Sequence, residues 1–173
     1  MISPDRPTLD TLLLWLDHYG VAVNELLAAA DQELLNRRLH AGLPTLAEVA
    51  AHLVVTESLY VRHVLGDEHL PASAPAHIET TWDLQSPPVT VNGRTLLDSA
   101  GRCPGAQMLI EAHLESHGDL RGRLAGAADV HLNHQYFGPY NRSDTLAGIL
   151  AYLIAHEGYH LSELRVITTL AST

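Results

Sequence analysis

The chain has no lysine. Ten arginines face twenty Asp and Glu in its 173 residues, a formal net charge of −10. So acidic a chain repels phosphate backbones and anionic membrane surfaces, so neither nucleic acid nor membrane is expected as a partner. Thiols are nearly absent. The single cysteine, Cys103, cannot close an internal disulfide or build a thiolate metal site alone. Long apolar runs are missing too: Leu146 to Ala155 is the longest clearly apolar stretch without charge, about half of the ~20 residues that span a bilayer. Residues Met1–Pro7 lack the basic, apolar and small-residue segments of a secretory signal. No low-complexity tract or convincing repeat appears, and a cytoplasmic protein of one domain, residues 1–173, is expected. What the chain has in excess is histidine: twelve, more than all its lysines and arginines together.

Apolar spacing repeats in steps of three and four along four segments, which predicts four amphipathic helices. The first runs Leu9, Leu12, Leu16, Tyr19, Val23, Leu26, Ala30, behind a Pro7-Thr8 start. Leu46, Val49, Leu53, Thr56, Tyr60 and His63 form the second, opened by Thr45 with Glu48 three residues on, a capping box, and closed at Gly66. The third seam is Ala106, Ile110, His113, His117, Leu120, Leu124, weakened by Gly105, Gly118 and Gly122. The fourth is Leu146, Ile149, Leu153, His156, His160, Leu164, Ile167, with Ser143 or Asp144 as N-cap. The fold class is therefore all-α, a four-helix bundle with a long crossover between its second and third helices. Residues 67–103 and 125–142 are long connections. They are expected to cover one end of the bundle, with Trp82, Tyr136, Phe137 and Tyr140 as candidate pocket aromatics.

Twelve histidines placed at random would give about 0.8 pairs at i, i+4. The two observed pairs, His113/His117 and His156/His160, carry little weight by number alone. Position carries more. His156 and His160 occupy consecutive positions of the fourth apolar seam, where unpaired imidazoles are costly to desolvate and a shared metal ion removes that cost. An open catalytic site needs at least three protein ligands. His52, beside the second seam, is the strongest third candidate, with His113 and His117 as rivals.

Thr45-Leu46-Ala47-Glu48-Val49-Ala50-Ala51-His52-Leu53, followed by Glu57 and Tyr60, resembles the second helix of the DinB/YfiT-like metalloproteins. Ala155-His156-Glu157-Gly158-Tyr159-His160 resembles that family's last-helix motif, and Glu33–Arg38 also fits. The resemblance implies a four-helix bundle, often homodimeric, with a divalent metal on His52, His156 and His160. Many members continue the last histidine with Arg-Gly-Gln, whereas Leu161-Ser162-Glu163 follows here. His113 and His117 are not part of the family motif. Zinc or nickel is the expected ion.

The family includes thiol-dependent transferases and isomerases, so the implied activity joins a low-molecular-weight thiol to a small-molecule substrate. Arg37, Arg38 and Arg142 are candidates to hold a carboxylate of either. The alternative is a non-catalytic structural or stress-linked metal bundle. His156–His160 also spells HExxH, with Glu157 as a peptidase base, but Glu163 and Val166 stand where a metzincin needs Gly and His. Di-iron chemistry needs two Glu-x-x-His motifs, and only Glu157–His160 qualifies.

Overall fold

The computed structural model describes residues 8–65, 88–137 and 143–171, with backbone alone for residues 62–65, 136–137 and 143. Its helices are α1 (Leu9–Ala29), a short α2 (Gln32–Asn36), α3 (Leu46–Leu65), α4 (Ala106–Leu124) and α5 (Leu146–Ala171). The long four form the expected bundle, with α1 against α5 and α4, and α3 against α4 and α5.

Helix starts follow local chemistry. The Thr8 hydroxyl accepts from the Thr11 amide. At α3 the capping box is complete: Glu48 N–H donates to the Thr45 hydroxyl at 3.1 Å, and Thr45 N–H donates to the Glu48 carboxylate at 2.8 Å. For α5 the cap is Thr145, whose hydroxyl accepts from the Gly148 amide at 3.0 Å, rather than Ser143 or Asp144. Gly105 stands at the N-cap of α4, and Gly118 and Gly122 lie on its exposed face, where a missing side chain forfeits no packing. The proposed cap at Gly66 lies outside the described residues.

The core has two apolar clusters. One joins Val23 and Leu27 of α1, Leu46–Val54 of α3, Leu109 and Ala112 of α4, and Leu161–Ile167 of α5. The other joins Leu9–Leu16, Val61, Leu120, Leu124 and Leu146–Leu153. Early α3 therefore lies level with early α4 but with late α1 and late α5. Helices α3 and α4 run parallel to each other and antiparallel to α1 and α5. A parallel neighbour requires the chain to return along a helix of about 30 Å, so a long crossover follows α3.

Two small antiparallel strand pairs and a 3₁₀ turn were not anticipated. Strands β1 (Val89–Val91) and β2 (Arg94–Leu97) pair antiparallel and bury Val89, Val91, Leu96 and Leu97 in the first cluster. Their turn, Asn92-Gly93, has φ of 49° and 77°, the left-handed pair that a two-residue hairpin requires. After α4, a 3₁₀ turn (Asp129–Asn133) and the pair β3 (Gln135–Phe137) and β4 (Ser143–Thr145) lie at the other end, where Leu132 joins the second cluster. The described parts of the two long connections thus sit at opposite ends, not at one. Trp82 and Tyr140 lie outside the described residues.

Within α1 it is Leu27, not Leu26, that is fully buried, and in α4 Leu109 replaces Ala106 and Ile110. No helix among the described residues is long and apolar enough to cross a membrane. Because the capping box satisfies two α3 donors at once, Thr45→Ala is expected to lower stability by about 1 kcal/mol, read from urea unfolding; an unchanged midpoint contradicts that role.

Candidate metal centre

His52 of α3 and His156 and His160 of α5 converge as expected, offering ligand nitrogens within 4.8 Å of one another. The Nε2 atoms of His52 and His156 are 3.0 Å apart. The His160 ring lies 4.8 Å from that of His52 and 4.5 Å from that of His156, centre to centre. Only His160 is fully buried; His52 and His156 are half-buried. Tyr152 stacks on His156 and packs on Tyr60, and Tyr159 meets the edge of His160.

The electrostatics favour metal-ready rings. Burial, then the charge of its neighbours His160 and His52, lowers the His156 pKa to about 3. Burial, then His160, lowers His52 to about 4. His160 falls to about 4 by burial, against the opposing charge of Glu157. At neutral pH all three are therefore unprotonated, as ligands must be. Glu163, seen in the sequence only as a departure from a family pattern, accepts a hydrogen bond from His160 Nδ1 at 2.8 Å. With Nδ1 donating, Nε2 keeps its lone pair for an ion, the orienting arrangement common behind metal-bound histidine. Its signal was the i, i+3 spacing from His160.

The fourth apolar seam is continued by Glu157 rather than His156: Glu157 is 3% exposed. It faces the bundle interior, where His113 Nε2 lies 2.9 Å from its Oε1. That engagement takes it away from the general-base role of an HExxH peptidase. His117 Nδ1 lies 2.8 Å from Glu57 Oε2, and His113 Nδ1 lies 3.0 Å from the Asn24 side-chain oxygen. Glu57, His113, His117 and Glu157 form a second group with ligand atoms within 4.8 Å. His113 and His117 are thus inward-facing but belong to this group, not to the triad. Burial opposes charging His117, but the hydrogen bond and charge of Glu57, the charge of Glu157 and the Leu16 carbonyl outweigh it and raise its pKa to about 9.

Other candidates have structural partners. Arg37 donates to the Ala171 carbonyl, and Arg38 bonds Glu48 and the Leu43 carbonyl. Arg142 lies outside the described residues, and the side chains of Tyr136 and Phe137 are not described. Cys103 is buried, bonded to Gly105, and its thiol pKa is pushed up by burial, so it is a poor nucleophile. A groove of about 740 Å³ along α1 and α5, lined by Trp15, Tyr19, Gly158 and Arg165 among others, includes none of the three triad histidines.

A four-helix bundle with three imidazoles from two of its helices defines a class of helical bundle whose side chains could hold a metal ion. The chain belongs to the DinB superfamily, whose family model matches residues 16–164. It is similar in fold to a crystallised DinB-like protein from Bacillus cereus ATCC 10987, with 16% identity, a TM-score of 0.66, and coverage of 95% of this chain and 93% of that one. No curated protein matches it.

Two outcomes test this geometry. In metal-free protein the triad stabilises the fold above pH 6.5, the ordinary histidine value, and that contribution is lost as pH falls through about 4 for His52 and His160 and about 3 for His156. His117 acts with the opposite sign: its contribution is complete below 6.5 and lost as pH rises through about 9. Stability is expected to peak close to pH 6.5 in urea unfolding at serial pH, and His117→Asn to remove the alkaline limb; persistence of that limb would exclude the assignment. Gly20 lies against His117, where a Cβ would come within 2.6 Å of Nε2. Alanine gains about 1 kcal/mol of helix preference, but the clash with a pinned ring costs about 1–3 kcal/mol. Gly20→Ala is therefore expected to lower the melting temperature, and a rise would contradict the tight fit.

Proposed function

We propose that the protein binds one divalent ion, zinc or nickel, on His52, His156 and His160, and that this open site serves transfer of a low-molecular-weight thiol to a small-molecule electrophile, or a thiol-dependent isomerisation. The observation that carries the reading is the convergence of three unprotonated imidazoles, two of them half-buried and so within reach of solvent. A bound divalent ion there would supply Lewis acidity, lowering the pKa of an incoming thiol. Every other part is played by the chain. His52 and His156 bring α3 and α5 together around the ligand position. Glu163 holds the proton of His160 Nδ1 and so fixes the ring's orientation. Tyr152 and Tyr159 shield the rings from the side. Since Cys103 is buried and bonded elsewhere, the sulfur nucleophile has to be a cosubstrate. The reading includes a homodimer, supported by the family resemblance, and a cytoplasmic location.

A non-catalytic bundle, in which the ion only pins α3 to α5, is the alternative, favoured by the full burial of His160. One experiment separates the two. Metal-loaded protein is incubated with glutathione, mycothiol or bacillithiol and a chromogenic electrophile, beside His52→Ala and Glu163→Gln. Metal-dependent turnover that His52→Ala abolishes supports the transferase, and metal affinity is expected to fall about 10- to 100-fold in Glu163→Gln. No rate above background with any thiol, together with a metal-dependent rise in melting temperature, assigns the ion a structural role.

A further inference from the structure

Between the two apolar clusters lies a buried polar layer to which α1, α3, α4 and α5 all contribute. Glu57 is 2% exposed, His113 1% and Glu157 3%. Two carboxyl groups and two imidazoles thus share the centre of the bundle, and the charge that the layer itself brings to its carboxylates is that of His117, whose pKa, against burial, Glu57 and Glu157 raise to about 9. Among the described ion pairs, those of Arg38, Arg94, Arg102 and Arg121 go elsewhere, to Glu48, Glu111 and Glu115, Asp98, and Asp17. One oxygen of each carboxylate, Glu57 Oε1 and Glu157 Oε2, is buried with no hydrogen-bond partner. Such an oxygen is expensive unless a cation or donor meets it.

We infer that Glu57, His113, His117 and Glu157 form a second metal centre, closed and structural, that takes a zinc-sized divalent ion. Two carboxylates and two imidazoles neutralise a divalent charge, and the four come from three different helices. Ligands of a tetrahedral zinc-sized ion lie about 2.0–2.2 Å from it, hence roughly 3.3–3.6 Å from one another. The contacts present here, 2.8 Å, 2.9 Å and 3.9 Å, bracket that spacing. The orientation of His113 fits as well: its Nδ1 donates to the Asn24 oxygen, which leaves the lone pair on Nε2 facing both carboxylates. Four protein ligands and near-complete burial mark a closed structural site, in contrast to the three-ligand triad.

The test counts metal. Stripped protein is reloaded with excess Zn²⁺, passed over chelating resin to remove weakly held ions, and analysed for zinc per chain. Two equivalents are expected for the unaltered chain, one for His52→Ala/His156→Ala, one for Glu57→Gln/His113→Ala and none for the quadruple variant. One equivalent that survives Glu57→Gln/His113→Ala and disappears with His52→Ala/His156→Ala overturns the second centre. One equivalent with the reverse pattern retains it and removes the triad instead. A second measurement does not depend on the fold of the Glu57 variant. In His52→Ala/His156→Ala the layer is intact, and Co²⁺ is expected to bind at one equivalent, with a visible ligand-field band and a melting temperature raised by several degrees. Absence of both band and shift overturns the inference.

Discussion

The constraint on which the rest of this structure depends is the neutralisation of two carboxylates in the middle of a helical bundle. Glu57 and Glu157 interrupt what would otherwise be one apolar core and divide it into two clusters. Everything around them accommodates that pair: His117 and His113 reach in from α4, Asn24 orients His113, and Gly20 gives up its side chain to admit the His117 ring. Removing one partner of such a buried pair strands the other, at a cost of about 3–5 kcal/mol, comparable to much of a small domain's stability. A layer of this kind also sets register. Each residue turns a helix by 100°, so a one-residue slip of α3 or α5 would swing a carboxylate out of reach of its imidazole.

The histidine triad inherits its geometry from that layer. With Glu157 aimed at the bundle axis, His156 lies about 100° to one side and His160 about 60° to the same side. Both rings therefore turn toward α3 and meet His52 at the margin of the core. This is why His156 is half-buried while its neighbour in sequence is the residue inside. Glu163, one turn beyond His160, falls on the same flank and reaches its Nδ1. The histidine triad and the buried layer are two consequences of one rotation of α5.

The sequence made the bundle legible because its signals are local. Threes and fours mark the helices, Thr45 and Glu48 cap α3, and the long link after α3 matches the parallel run of α3 and α4. His52, His156 and His160 were found together because position on a seam and the family motif agreed. The misses were tertiary in origin. Both His156 and Glu157 fit an inward position within the error of a 3.6-residue period, and only the location of His113 on another helix decides which one turns in. Glu57 looked like a polar residue on an amphipathic helix until α4 supplied His117 to meet it. Other signals were present but unused: Asn92-Gly93 announced a hairpin, Thr145 could cap α5, and Asp31 capped the short α2 through the Leu34 amide.

The missing lysine and the abundant histidine are two sides of one arrangement. With few permanent cations, and arginines that pair with other carboxylates where their ion pairs are described, the interior has imidazole as its counterpart to carboxylate. Imidazole can meet a buried acid either as a charged partner or as a neutral co-ligand of a metal, and each form leaves a different signature. In the first, the raised His117 pKa governs stability at alkaline pH; in the second, an ion displaces that proton and the alkaline dependence vanishes on metal loading. The triad differs, because its three rings are already unprotonated at neutral pH and would release no proton to an incoming ion. Two groups built from the same side chain are thus separated by their surroundings. Two buried carboxylates make one a polar layer that favours a charged ring, whereas in the other a single partly exposed carboxylate, Glu163, backs one ring and burial leaves all three as neutral nitrogen donors.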